Sequence, residues 1–326
     1  MLTKKKRTIL FWLSIVAFFA LLGPMLIYSA GYRLGPNWTL VKTGGIFIKA
    51  SKNGALVSVD GTRKYTSFIS KSVLIKNVSP GFHKTSVSLG GYFDWEKNLE
   101  VTPELVTSRE ALLVPQDVQG KMLGTTSPQL TEPYLKKEVL FSYNDAGKPG
   151  PIYSSVKKFW KQDGDFLILG EDNNFYKNGE PYEIPENWGE KAKAIFTGKK
   201  MSLITADATR IIYWDESGID SYWISDIGKM PQWENLSAKP DGVDRYLHIY
   251  STDKGLRAVA EYPDYQDYLL AEISNGIFVL EIESTGGQNI FPLYKGKYPE
   301  IVSVPNSPGG ELIIKDGANY IGLELP

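Results

Sequence analysis

The sequence predicts one transmembrane helix followed by an all-β ectodomain, made of a small β-sandwich and then a β-propeller-like domain. Three observations carry that expectation. Residues 9–27 form an apolar run without a charge; short strand signals bounded by turns fill the rest of the chain; and a phrase of apolar quartet, short turn and second strand recurs near 166–176, 201–214, 268–282 and 311–323.

Residues 9–27 hold Leu, Ile, Phe or Val at twelve of nineteen positions. As a helix they would span roughly 28 Å, close to the hydrocarbon thickness of a bilayer. Those twelve side chains favour insertion by about 4–7 kcal/mol, which outweighs the lone Ser14. Gly23 and Pro24 sit near the far end, where a kink costs least. Lys4, Lys5, Lys6 and Arg7 precede the run and set its topology: a cytoplasmic tail over residues 1–8, a helix over 9–28 and the bulk of the chain outside the cytoplasm. Tyr28, Tyr32 and Trp38 follow as interfacial aromatics. The competing reading is a signal peptide cleaved after Gly31, against which the length of the apolar run counts. With no cysteine in the chain, a lipid-anchored cysteine is excluded, and so are disulfides as the stabiliser.

Residues 29–43 read as a juxtamembrane connector, since Gly31, Gly35 and Pro36 interrupt any continuing helix. From Gly45 the pattern turns to period two. Ala55, Val57 and Val59 alternate with Leu56, Ser58 and Asp60, and the run ends in Asp60-Gly61, a tight hairpin signal. Further strands follow around the Ser79-Pro80-Gly81 turn and close with Ala111–Val114. Gly54-Ala55, the strand ending Val59-Asp60-Gly61, Pro80-Gly81-Phe82-His83, Gly91-Tyr92 and Trp95 together resemble the PEGA domain over residues 44–115. Lys52 and Asn53 stand where the naming Pro and Glu would be, so half of that tetrapeptide is kept. The resemblance implies a small β-sandwich that binds or spaces at the surface of a prokaryotic cell, and not a catalyst.

Residues 116–133 contain Pro, Gly, Thr and Ser with little apolar periodicity and are expected to be a linker. Residues 134–326 then supply the recurring strand pairs. Their turns include Asp215-Glu216-Ser217-Gly218 and Ser274-Asn275-Gly276, and no helix of useful length is foreseen. At the usual 40–45 residues per blade this length suits four or five blades, not seven.

The charges, 36 Lys+Arg against 37 Asp+Glu, leave a net charge of −1, so no basic field for nucleic acid exists. Nucleophilic chemistry lacks material: there is no Cys, and the two histidines, His83 and His248, each fall in a predicted strand. His248 alternates with Tyr246 and Tyr250, which would place all three on one side of that strand. No metal or cofactor is expected, because nitrogen and sulfur ligands are scarce and no phosphate-binding glycine loop is present. The acidic turns 172–174 and 215–218 read as ordinary polar turns.

The stretch that invites a ligand is 213–233, where Tyr213, Trp214, Tyr222, Trp223 and Trp233 crowd among Asp215, Asp220 and Asp226. Such rings either stack on sugars or a partner's aliphatic surface, or fill the core between blades. If they are exposed, Trp223→Ala and Trp233→Ala spare the fold and weaken binding; if they are core, both lose the fold. The expected function is non-catalytic binding or scaffolding at the membrane, with envelope polysaccharide or an envelope protein as partner. The alternatives are an enzyme acting on envelope glycans and a sensor working through a membrane partner.

Overall fold

The computed structural model describes residues 4–29, 31–34, 39–126, 133–144, 148–162, 164–231, 233–234, 244–305 and 310–325. They fall into two compact units, Met1–Gly90 with Asp94–Leu113, and Gly91–Phe93 with Val114–Pro326.

Helix α1 (Lys4–Ser29) covers the apolar run and begins within the basic cluster. The span Lys5–Ser29 is 0% buried, with Phe11, Trp12, Leu13, Phe18 and Phe19 all exposed. So much uncovered apolar surface suits hydrocarbon rather than water, and fits a single-pass anchor or a signal sequence. Ser14 donates its hydroxyl to the Leu10 carbonyl at 2.9 Å, so the polar group in the run is satisfied within the helix. The expected connector carries a short ladder, with β1 (Tyr32–Leu34) antiparallel to β2 (Leu40–Lys42). Trp38 lies outside the described residues.

The sandwich is built from β3 (Gly44–Ala50), β4 (Leu56–Val59), β5 (Thr62–Tyr65), β6 (Ser72–Val78), β7 (Gly81–Ser88), β8 (Trp95–Val101) and β9 (Val106–Ala111). One sheet runs β6-β3-β9, with β9 parallel to β3, and the other β5-β4-β7-β8. Alternation decides what lies between them: on β8, Trp95, Lys97, Leu99 and Val101 are buried and the residues between them exposed. Ile46, Ile48, Ala55, Val57 and Val87 complete the core. Asp60 and Gly61 form the two-residue loop between β4 and β5, both with positive φ (46° and 84°), the geometry a tight hairpin of this hand requires. Gly81 at φ 124° holds a conformation closed to residues with a Cβ.

Among the described residues the second unit holds five sheets. The first is β11 (Tyr134–Lys136), β12 (Val139–Tyr143) and β13 (Pro149–Tyr153); the second is β14 (Val156–Gln162), β15 (Asp165–Gly170), β16 (Phe175–Lys177) and β17 (Glu180–Pro181). After α2 (Gly189–Thr197) comes the third, β18 (Met201–Ile204), β19 (Arg210–Asp215), β20 (Gly218–Trp223) and β21 (Tyr246–Ser251). The fourth is β22 (Leu256–Glu261), β23 (Tyr268–Ile273), β24 (Gly276–Glu281) and β25 (Ile290–Lys295). The fifth joins β26 (Pro299–Ser303), β27 (Glu311–Asp316) and β28 (Asn319–Glu324) to a strand from the start of the unit, β10 (Gly120–Gly124), in the order β10-β28-β27-β26. Each sheet is an antiparallel meander, and the strand borrowed by the last sheet latches the two ends of the series together. This is a β-propeller-like domain with five blades.

Two expectations are corrected here. The stretch foreseen as a linker contains β10, because Lys121-Met122-Leu123 is a short strand whose partner lies some two hundred residues away. The unit also contains a helix: Glu190-Lys-Ala-Lys-Ala194 are good helix formers, and Ala192, Ile195 and Phe196 bury one side of it.

Candidate functional site

The aromatic stretch is interior, which corrects its reading as a ligand platform. β19 and β20 are the middle strands of the third sheet, and both faces of that sheet are covered. Ile211, Tyr213 and Tyr222 join one apolar cluster with Trp160 and Phe196, while Ile212, Trp214 and Ile219 join another with Leu269 and Leu280. Tyr213, Trp214, Tyr222 and Trp223 are all buried, and Trp233 is half-buried against the second cluster. Trp223 donates its indole N–H to the Asp226 carbonyl at 3.1 Å. The Arg210 guanidinium lies 5.3 Å from the Trp223 ring and 5.8 Å from Trp233, with Glu234 at 3.4 Å. These rings brace a buried ion pair rather than meet a ligand.

The residues with chemistry gather instead around Asp220, on the middle strand β20 beside the edge strand β21. Its Oδ1 accepts from Tyr246 Oη and His248 Nδ1, each at 2.9 Å, and its Oδ2 accepts from Lys200 Nζ at 3.1 Å. Lys200 also reaches Asp215 at 3.1 Å, and His248 Nε2 lies 2.8 Å from Ser251 Oγ. Burial pushes the Asp220 carboxyl up, but the hydrogen bonds from His248, Lys200 and Tyr246 outweigh it and hold it below the usual range. Asp215 is drawn down to about 2 by the Ser217 hydroxyl and amide, with Lys200 adding to the effect. Burial opposes the Lys200 charge, and its two carboxylate partners prevail and raise its pKa.

Register explains why this site was hidden. Ile219 pairs with Tyr250 and Asp220 with His248, so β21 carries one extra residue at a bulge. The bulge breaks the expected alternation: Tyr246 and His248 both reach Asp220, whereas Tyr250 packs with the cluster on the other face. Asp220 and His248 are visible as residue types, whereas Ser251 comes in through this register and Lys200 through its place just before β18. In chemical terms the array orders a carboxylate, an imidazole and a hydroxyl in series, although His248 and Ser251 are exposed.

His83 lies within β7, a strand as expected. It is buried, with Nδ1 on the Asp60 carboxylate and Nε2 on the Ser79 carbonyl, and so ties the hairpin turn to the Ser79–Gly81 turn. Within the two acidic turns the carboxylates accept from neighbours close in the chain, and Asp215 also meets Lys200. Asp172 accepts from Asn174 and Tyr176, and Asp215 from Ser217.

A second concave feature lies beside the second sheet and α2. It is an open groove of about 1080 Å³, lined by Asn174, Tyr176, Tyr182, Glu183, Glu186 and Glu190 among others. Tyr176 and Tyr182 are half-buried, each packed against an apolar cluster, while the three carboxylates are exposed.

No curated protein matches the chain. Among solved structures, a catalytically inactive virginiamycin B lyase from Staphylococcus aureus with quinupristin shares 10% identity over 90% of this chain and 98% of its own, with a TM-score of 0.30. A putative 6-phosphogluconolactonase from Bacteroides fragilis shares 12% identity over 85% and 78%, with a TM-score of 0.26. Apo AztD from Citrobacter koseri shares 12% over 88% and 82%, with a TM-score of 0.25. At such scores the propeller description rests on the five sheets and their latch, not on these likenesses. The sandwich has a family: residues 43–117 match the PEGA domain, and the sheets β6-β3-β9 and β5-β4-β7-β8 are that domain.

Proposed function

We propose that this is a single-pass membrane protein of a bacterial or archaeal envelope. In this reading α1 lies in the cell membrane with its amino end in the cytoplasm, and the PEGA and propeller-like domains bind envelope polysaccharide outside without catalysing a reaction. The observation that carries the reading is α1: it is uncharged from residue 9 to 27, uncovered along its length and preceded by Lys4–Arg7. Polysaccharide is favoured over an envelope protein by the groove beside α2, where tyrosines and carboxylates line one open channel. The full-length protein in detergent is to be titrated with purified envelope polysaccharide. Glu183→Ala combined with Glu186→Ala, both exposed, is expected to weaken retention about tenfold, the loss of roughly 1.4 kcal/mol, with an unchanged melting temperature. Equal retention by parent and variant removes the groove from the reading.

A second reading has its own observation. The series Asp220, His248 and Ser251 is the arrangement that activates a serine hydroxyl, which makes hydrolysis of an acyl ester the competing activity. Its test is a fluorophosphonate probe on the full chain. Labelling that disappears in both Ser251→Ala and His248→Ala supports an enzyme. Absence of labelling in the parent leaves the array as a surface hydrogen-bond network.

A further inference from the structure

We infer that the end of the PEGA sandwich nearest α1 is seated in the headgroup layer of the bilayer, with Phe82, Leu105 and Val106 as its contact rim. This deepens the anchor reading of α1 and rests on it. The helix exit and the sandwich are joined by a continuous hydrogen-bond path. The Gly31 amide donates to the Tyr28 carbonyl at 3.2 Å, and the Thr43 amide donates to the Gly31 carbonyl at 3.1 Å. The Glu104 amide donates in turn to the Thr43 carbonyl at 3.1 Å, and Gly45 to Leu105 at 2.9 Å. The joint is braced from the side. The Arg33 guanidinium sits 3.6 Å over the Tyr28 ring and donates to the Tyr28 carbonyl at 3.0 Å. Lys42 pairs with Glu104 at 2.7 Å. Although fourteen residues separate Ser29 from Gly44, the path crosses from the last helical turn to the sandwich in two steps.

Strand register shows which part of the sandwich this is. Gly44 opposes Val78, Gly81 opposes Val101 and Gly45 opposes Val106, so the turns 79–81 and 102–105 share the end that faces the helix exit. The loop 66–71 belongs to the opposite end, where Ala50 bonds Lys71. At the near end Phe82 is 69% exposed, Leu105 53% and Val106 55%. Nothing in the sandwich core needs these residues: Phe82 points outward on a strand whose inward positions are His83, Thr85 and Val87. The local acids are mostly paired, Glu104 with Lys42 and Asp60 with His83. Glu100, opposite Phe82, stays exposed, which places the rim among headgroups rather than in hydrocarbon. Tyr28 and Tyr32 at the joint are of the residue type that favours that layer on either side of a membrane. Seating to a depth of about 5–10 Å is what an interfacial apolar surface achieves.

The chain has no cysteine, so single reporters can be placed cleanly. Full-length Phe82→Cys, Leu105→Cys and Ile69→Cys are labelled with bimane and reconstituted into phosphatidylcholine–phosphatidylglycerol vesicles that carry headgroup nitroxide lipid. Ile69, at the far end and 97% exposed, is the reference. Quenching at positions 82 and 105 is expected to exceed that at 69 several-fold in vesicles, with the three alike in detergent. Equal quenching at all three positions in a chain that stays with the vesicles through an alkaline wash overturns the seating and leaves the anchor intact. A chain stripped from the vesicles by that wash overturns the anchor, and the seating with it.

Discussion

Replacing Arg210 with methionine is expected to destabilise the propeller-like unit by about 3–5 kcal/mol and to lower its melting temperature by roughly 6–20 °C. The side chains of Arg210 and Glu234 are 4% and 0% exposed, and their facing atoms are 3.4 Å apart. Methionine keeps much of the stem's volume but leaves a buried carboxylate without its cation. It also withdraws the guanidinium from between Trp223 and Trp233. The loss should depend on pH with a definite sign. Burial pushes the Glu234 carboxyl above its ordinary value of 4.5, and Arg210 is the main influence in the other direction. Between 4.5 and that raised value the folded state holds more protons than the unfolded one, so the stability of this site falls as pH rises and returns as pH falls. Without Arg210 the carboxyl rises further and the window widens. The variant's deficit is therefore largest near neutrality and shrinks in mild acid. Burial also raises Glu261 and Glu272, which gives the parent the same slope with smaller amplitude relative to the variant. Arg210→Met with Glu234→Leu removes both charges and should recover most of the loss, since an apolar replacement of a buried pair is often neutral or better. Thermal melts of the parent and the two variants from pH 4.5 to 8 decide it. A deficit that does not change with pH, or a double variant no better than the single, contradicts the account.

That site shows what the sequence could and could not reveal. Local chemistry was legible. Asp60-Gly61 makes its hairpin because two adjacent residues accept positive φ, and Ser274-Asn275 turns β23 into β24 with Ser274 alone at positive φ. The apolar helix was legible because hydrocarbon compatibility is a property of composition and length. What failed was everything set by a partner distant in the chain. Tyr213 and Trp214 read equally well as a binding surface or a core until the neighbouring sheets are seen to cover both faces of β19. The Asp220 site depends on a one-residue bulge in β21, and no pattern of polar and apolar residues within that strand announces it. The helix α2 is not legible because strand signals surround it and nine residues, even good helix formers, are too few to hold a helix until Ala192, Ile195 and Phe196 find their cluster.

The strand β10 is the strongest case of the same problem, and it yields the other large effect. Residues 116–133 have the composition of a linker, yet Gly120 pairs with Leu323, Lys121 with Gly322 and Met122 with Ile321. Without β10, β28 becomes an open edge and the first and last parts of the unit lose their only ladder in common among the described residues. Lys121→Pro with Met122→Pro keeps the chain length but removes two amide donors and fixes two φ angles. Adjacent amides of a strand point to opposite sides, so one of the two prolines removes a donor to β28 while both impose a φ of about −65° on the strand, and loss of the cooperative melt and exposure of an aggregation-prone edge are expected. The opposite change tests the register without destabilising anything. In a chain free of cysteine, Met122→Cys with Ile321→Cys places two thiols directly across the ladder, where a disulfide would close a loop of about two hundred residues. Oxidation should form the bond in the folded protein and raise the melting temperature, with reduction reversing the gain. Thiols that stay free under oxidant would mean that residues 120–124 do not pair with β28; the segment would then be the linker its composition suggests, and the five sheets would form an open series.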